Sequence, residues 1–66
     1  MYTKEEQLEI FHNELKQYQA TYKLAERAFN RSESSKYEIW KRKTIRHIQR
    51  LDIMSELLGF DWRFYA

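Results

Sequence analysis

The chain of 66 residues contains no cysteine, no proline and only one glycine. Without cysteine it can form neither a disulfide nor a thiolate zinc site. Because proline and glycine provide most of the turns that sheets and long loops need, their scarcity indicates long helices. A single core in so short a chain supplies only ~3–5 kcal/mol of stability. We therefore expect reinforcement by a second copy of the chain or by another partner.

Long apolar runs are missing as well. No stretch approaches the ~18–20 apolar residues that a membrane span needs. The first six residues, Met1 to Glu6, are mostly polar or charged and no apolar run follows them, unlike a signal peptide. We expect a cytoplasmic protein that has no contact with a membrane. A composition without cysteine is compatible with that compartment.

Helix boundaries can be located from capping signals. Thr3-Lys4-Glu5-Glu6 has the pattern of a capping box, and Ser35-Lys36-Tyr37-Glu38 repeats that pattern later in the chain. Between them lies a polar, turn-prone segment at residues 30–34. Gly59 follows Leu58 as a left-handed C-terminal cap would. The sequence therefore predicts an all-α hairpin with helices at about residues 3–31 and 35–58, and an aromatic tail at residues 60–66.

A heptad pattern runs through both predicted helices and indicates how they pair. In the first helix, apolar residues follow a 3-4 spacing that is typical of an a/d seam. In an antiparallel hairpin, the numbers of facing residues should add to a constant. That constant is 66 for five predicted pairs, and 65 for Ala25 with Trp40. The five pairs are Phe29 with Tyr37, Tyr22 with Thr44, Tyr18 with Ile48, Leu15 with Leu51, and Leu8 with Leu58.

The seam leaves many apolar residues without a partner, which favours dimerisation into a four-helix bundle. One flank of the first helix carries a narrow strip of small and apolar residues suited to close helix packing. The end of the second helix and the tail form a second surface, either an extended clip for a partner protein or a cover that folds onto Ile53 and Leu57. The predicted strip is Ile10, Gln17, Leu24 and Ala28, and the second surface is Ile53, Leu57, Phe60, Trp62 and Phe64.

Basic residues are concentrated in the second helix. Residues 36–50 carry a local charge of +5, whereas the rest of the chain carries −3. A clustered basic face can neutralise phosphates of RNA or DNA. The alternatives are a solvated helix face, which could pair with acids such as Glu14 of another subunit, and an acidic protein partner. The candidate nucleic-acid contacts are Arg42, Lys43, Arg46, Gln49 and Arg50.

Catalytic and metal-binding patterns are weak. Glu9 and His12 have the Glu-x-x-His spacing of di-iron bundles, but the second helix offers no inward carboxylate at that level. His47 is predicted to lie at the rim beside Ile48, too far along the hairpin to join His12. There is no cysteine nucleophile, glycine-rich phosphate loop or inward carboxylate pair. We expect no catalytic residues, no metal, no cofactor and no small-molecule substrate.

The predicted layout resembles that of Rop-type plasmid proteins, in which helical hairpins dimerise into a four-helix bundle that binds RNA. The resemblance lies in architecture, length and a capped first helix. The leading hypothesis is a small, non-enzymatic binding or regulatory protein that acts as a hairpin dimer, of the kind encoded by short bacterial or phage genes. Nucleic-acid binding through the second helix is one alternative, and a structural subunit of a larger assembly is another.

Overall fold

The computed structural model describes residues 1–66 and shows an antiparallel helical hairpin. Helix α1 spans Lys4–Asn30, helix α2 spans Ser34–Leu58, and a short 3-10 helix follows at Trp62–Phe64. There are no strands, so the predicted all-α hairpin is confirmed, with each helix boundary within one residue of the prediction. Neither helix is long and apolar enough to cross a membrane.

The ends of the helices show which capping signals are used. Thr3 Oγ1 accepts a hydrogen bond from the Glu6 N–H (3.2 Å), and Glu6 Oε1 accepts one from the Thr3 N–H (3.3 Å). The predicted first capping box is therefore confirmed. Gly59 has φ 81° and caps α2 in the left-handed region, as its position predicted.

The predicted capping box at Ser35 is wrong, because the turn between the helices is tighter than the sequence suggested. Ser32 adopts a left-handed φ of 56°. The Glu33 N–H donates to the Ala28 carbonyl (2.9 Å) and the Ser32 N–H donates to the Phe29 carbonyl (3.1 Å), as in a Schellman motif. This arrangement makes Glu33 the N-cap of α2, two residues before the predicted cap at Ser35.

Glu33 provides no side-chain cap, because its carboxylate is bound elsewhere. Lys36 Nζ lies 2.8 Å from Glu33 Oε2. The hydrogen bond from Lys36, together with the charges of Lys36 and Arg31, holds the pKa of Glu33 below its ordinary value. The start of α2 is therefore fixed by the backbone of the turn and by this exposed ion pair.

Replacing Ser32 with glycine should stabilise the hairpin by about 0.5–1 kcal/mol. A left-handed backbone costs an L-residue roughly 1–2 kcal/mol and costs glycine little, which outweighs the extra freedom of glycine in the unfolded chain. The matched control is Ser34→Gly in the first turn of α2, which should be neutral or destabilising. Urea unfolding of both variants measures the difference. A Ser32→Gly variant that is less stable than the parent would contradict the left-handed turn.

The core lies at the open end of the hairpin, away from the turn. Phe11, Leu15, Leu51 and Trp62 are buried together. Phe11 and Leu51 are 1% and 0% exposed. Around them pack five half-buried apolar residues, Tyr18, Ile48, Met54, Leu58 and Phe60. Leu15 and Leu51, and Tyr18 and Ile48, therefore meet in one cluster, in agreement with the predicted register.

At the turn end the predicted seam is partly wrong. Phe29 and Tyr37 do lie together, with ring centroids 5.5 Å apart. However, Phe29 is 67% exposed and Tyr22 is 51% exposed. The interface there is formed instead by small side chains, and the aromatic rings lie at its edge. These buried small residues are Thr21, Ala25, Ala28 and Thr44.

Candidate binding surfaces

The tail of the chain forms part of the core through Trp62. Trp62 is 3% exposed and packs in the same cluster as Phe11, Leu15 and Leu51. Its backbone N–H donates to Ser55 Oγ (2.9 Å), and its indole Nε1–H donates to Asp52 Oδ1 (2.7 Å). Both N–H donors of Trp62 are thus paired, as burial requires. Trp62, which the sequence analysis placed on a partner surface, is unavailable to a partner while the tail is packed.

The prediction that the tail covers Ile53 and Leu57 is wrong. Ile53 is 60% exposed and Leu57 is 81% exposed. The left-handed turn at Gly59 directs the tail into the groove between the helices, where the Trp62 ring packs edge-on against Tyr18 at 4.9 Å. The alternative of an extended clip is also wrong, since residues 62–64 form a 3-10 helix. Phe60 is half-buried, and Phe64 is 87% exposed.

The predicted strip on α1 is not a continuous free surface. Ala28 is 5% exposed and Leu24 is half-buried, whereas Ile10 is 39% exposed and Gln17 is exposed. The turn-end half of the strip is therefore buried largely within the hairpin itself. Only Ile10 and Gln17 remain open for contact with another chain.

Ile10 and Leu57 belong to one groove, although the sequence analysis assigned them to different surfaces. Residues from both helices line this groove near the chain termini, and most are apolar. We name it the open-end groove, and its lining residues are Tyr2, Gln7, Ile10, Met54, Leu57 and Leu58.

A second apolar groove lies near the turn, on the edge where the aromatic rings are displaced from the interface. Its floor contains the small buried residues Ala25 and Thr44, and the exposed residues Tyr22, Phe29 and Ile45 contribute to its walls. Sequence reasoning missed this groove, because it assigned Tyr22 and Phe29 to the core. We name it the turn-end groove, and it is lined by Tyr22, Ala25, Glu26, Phe29, Tyr37, Lys41, Thr44 and Ile45.

The five candidate nucleic-acid contacts are all exposed on α2, but they differ in their partners. Arg50 Nη1 lies 3.6 Å from Glu14 Oε1 of the same chain. Lys43 Nζ lies 4.8 Å from the centre of the Trp40 ring. Arg42 and Arg46 have no carboxylate within 4.0 Å, so their charges are unpaired on the surface.

A polar network crosses the hairpin at Glu14. Glu14 is only 8% exposed, and its carboxylate is hydrogen-bonded to Nδ1 of His47 and contacts Arg50. Sequence reasoning missed it, having paired Glu14 with another subunit and assigned His47 to the rim beside Ile48. The network joins α1 to α2 and includes no hydroxyl or thiol nucleophile.

The Glu9 and His12 side chains are both exposed, and His12 packs against the edge of Phe11 with centroids 5.5 Å apart. No group of three His, Cys, Asp or Glu side chains comes close enough together to hold a metal ion. Comparison with protein-family models, curated proteins and solved structures finds no match. The function therefore has to be inferred from the surfaces of the hairpin.

Proposed function

We propose that this chain is a small, non-enzymatic binding protein of regulatory type that acts as a dimer of helical hairpins. The observation that supports this is the distribution of apolar side chains. Eleven large apolar residues are exposed on the hairpin, whereas six hydrophobic residues are buried. Apolar residues that line shared grooves on a small protein are typical of protein contacts. The open-end and turn-end grooves are two such surfaces.

The shape of the hairpin supports dimerisation. It measures 43 × 20 × 14 Å, so it is a single layer of two helices. Stable domains usually bury an apolar face between at least two layers. Two hairpins stacked face to face make a four-helix bundle, which supplies the missing layer. The core at the open end would then gain a second source of stability.

Light scattering on a size-exclusion column should give the protein a molecular mass that is twice the mass of one chain, which is 8.3 kDa. The dimer should dissociate into monomers on dilution, because each hairpin is already folded before the dimer interface forms. A mass that stays at 8.3 kDa at every concentration would contradict the proposed function. A mass well above the dimer would favour the alternative of a structural subunit in a larger assembly.

Nucleic-acid binding is the second candidate, and the unpaired charges of Arg42 and Arg46 favour it. Exposed cations without a carboxylate partner are free to replace counterions on phosphates. The nearby Arg50 is 57% exposed and can contribute despite its contact with Glu14.

The substitution Arg46→Glu should abolish RNA or DNA binding if α2 contacts phosphates. In a shift assay, the logarithm of the parent affinity should fall with the logarithm of salt, with a slope of about −0.9 per phosphate contacted on duplex DNA. Lys23→Glu makes the same charge change at an exposed site on α1 and is the matched control. Equal binding by Arg46→Glu and the parent would reject this candidate.

A further inference from the structure

Phe64 is a large apolar residue whose side chain is exposed on an ordered segment. Its side chain is 87% exposed. The segment that carries it is fixed by Trp62 in the core, by the Arg63 N–H donating to Asp61 Oδ1 (3.0 Å), and by the Tyr65 N–H donating to the Trp62 carbonyl (2.9 Å). A side chain on an ordered backbone segment loses less entropy on binding than one on a flexible segment. Phe64 therefore has the properties of an interface anchor.

The tail and the turn-end groove lie on the same broad face of the hairpin. Trp62 packs against Tyr18, and the ring of Tyr18 lies 6.0 Å from that of Tyr22, which lines the groove. On α2, Asp52 binds the indole of Trp62, and Ile45 lines the groove one heptad away. Residues one heptad apart differ by only about 20° around a helix. This face thus carries the tail, with its exposed Phe64, at one end and the apolar turn-end groove at the other.

We propose that the turn-end groove binds Phe64 of a second copy of this chain, in an antiparallel, face-to-face dimer. The proposal deepens the proposed function and depends on it, because it names the interface of that dimer. A two-fold axis perpendicular to the helices places the turn end of each hairpin against the open end of the other. Both grooves are then filled at once, and the assembly closes as a dimer.

The area of the face is sufficient for a stable dimer. A face of 43 × 20 Å has a projected area of about 860 Å². A standard protein interface buries about 800 Å² on each partner. The exposed residues Tyr22, Phe29, Ile45 and Tyr65 also lie on or next to this face and would be covered along with Phe64.

Charges on the same face agree with the antiparallel arrangement. Lys41 lines the turn-end groove and has no carboxylate within 4.0 Å. At the opposite end, one depression contains three carboxylates with a single cation, Arg63. The proposed axis stacks α2 on α2 of the second copy, which brings Lys41 towards that acidic depression. The three carboxylates belong to Asp52, Glu56 and Asp61.

Disulfide trapping tests the geometry, since the natural chain has no cysteine to interfere. The double variant Ile45→Cys/Ala66→Cys should give a covalent dimer on a non-reducing gel, and its disulfide-linked peptides should join position 45 of one copy to position 66 of the other. The reason is that each new thiol at the tail lies near one in the groove of the second copy. Ile39→Cys/Ala66→Cys is the matched control and should stay monomeric on the gel. Ala66→Cys alone should not cross-link, because the two tails lie at opposite ends of 43 Å hairpins and a disulfide needs Cα atoms within about 7 Å.

A covalent dimer of Ala66→Cys alone would show parallel hairpins and overturn the proposal. The proposal is also overturned if Ile45→Cys/Ala66→Cys cross-links no more than the control variant Ile39→Cys/Ala66→Cys. Neither result would affect the proposed function, which light scattering tests independently. A parent that is always monomeric would remove the proposed function and this inference together.

Sedimentation of two surface variants gives a second, independent test. Phe64→Ala should raise the dissociation constant of the dimer by about 100-fold or more, because each dimer loses two aromatic anchor contacts. Leu57→Lys changes the open-end groove and should leave the dissociation constant within a few-fold of the parent. The reverse pattern, with Leu57→Lys disrupting the dimer and Phe64→Ala having no effect, would assign the dimer to the open-end groove and overturn this inference alone.

Discussion

Replacing Trp62 with alanine should unfold most of the protein at 25 °C. A buried Trp→Ala substitution costs about 3–5 kcal/mol, and a core in a chain of this length supplies only ~3–5 kcal/mol. Trp62 is 3% exposed and lies at the centre of the core cluster. The loss also leaves Asp52 without its indole hydrogen-bond donor. The helical circular dichroism signal should fall towards that of an unfolded chain.

The matched control is Ile39→Ala, which truncates a 53% exposed side chain on α2 and should change stability by no more than about 0.5 kcal/mol. Deletion of residues 60–66 should unfold the chain in the same way as Trp62→Ala. A truncated protein that kept its helix content and urea midpoint would show that the tail is only a partner surface. Trp62 would then not be part of the core that holds the hairpin together.

The hairpin could be predicted from sequence because its signals are local or periodic. The Thr3 capping box needs only neighbouring residues, and Gly59 needs only its position after the last apolar residue of α2. The register followed from two heptad patterns, which agree in the cluster that contains Leu15 and Leu51. Those features depend on spacing along the chain, which a sequence displays directly.

The turn-end groove could not be predicted because side-chain size alone did not fix the interface. The sequence analysis paired large Tyr22 with small Thr44, as if the ring filled the gap between the helices. In the structure the small side chains of Ala25 and Thr44 are buried in the interface, and Tyr22 lies at the edge, 51% exposed. The distance between two helices depends on the whole interface, and no heptad position specifies it.

The position of Trp62 and the burial of Glu14 could not be predicted for a related reason. The path of the tail depends on the left-handed turn at Gly59, which directs the chain into the inter-helix groove rather than onto Leu57. Glu14 is buried because His47 and Arg50 lie across from it, thirty-three and thirty-six residues later in the chain. Both features depend on contacts between distant segments.

Replacing Glu14 with alanine should destabilise the hairpin by about 2–3 kcal/mol. The Glu14 carboxylate pairs with His47, whose side chain is only 12% exposed, so the substitution leaves a largely buried imidazole nitrogen unpaired. Hydrogen bonds to charged groups contribute about 1.5–3 kcal/mol when the unpaired partner stays buried. Glu9→Ala removes an exposed carboxylate from the same helix and should change stability by no more than about 0.5 kcal/mol.

The double variant Glu14→Leu/His47→Leu should recover the stability that Glu14→Ala loses. Well-packed apolar residues that replace both members of a buried pair are often neutral, or stabilising by about 1–4 kcal/mol. Arg50 is 57% exposed and remains hydrated without Glu14. Urea midpoints of the two single leucine variants and the double variant complete a double-mutant cycle. If the double variant loses as much stability as the two single leucine variants together, Glu14 and His47 act independently. If it loses less, each of the two polar groups is kept in the interface by the other.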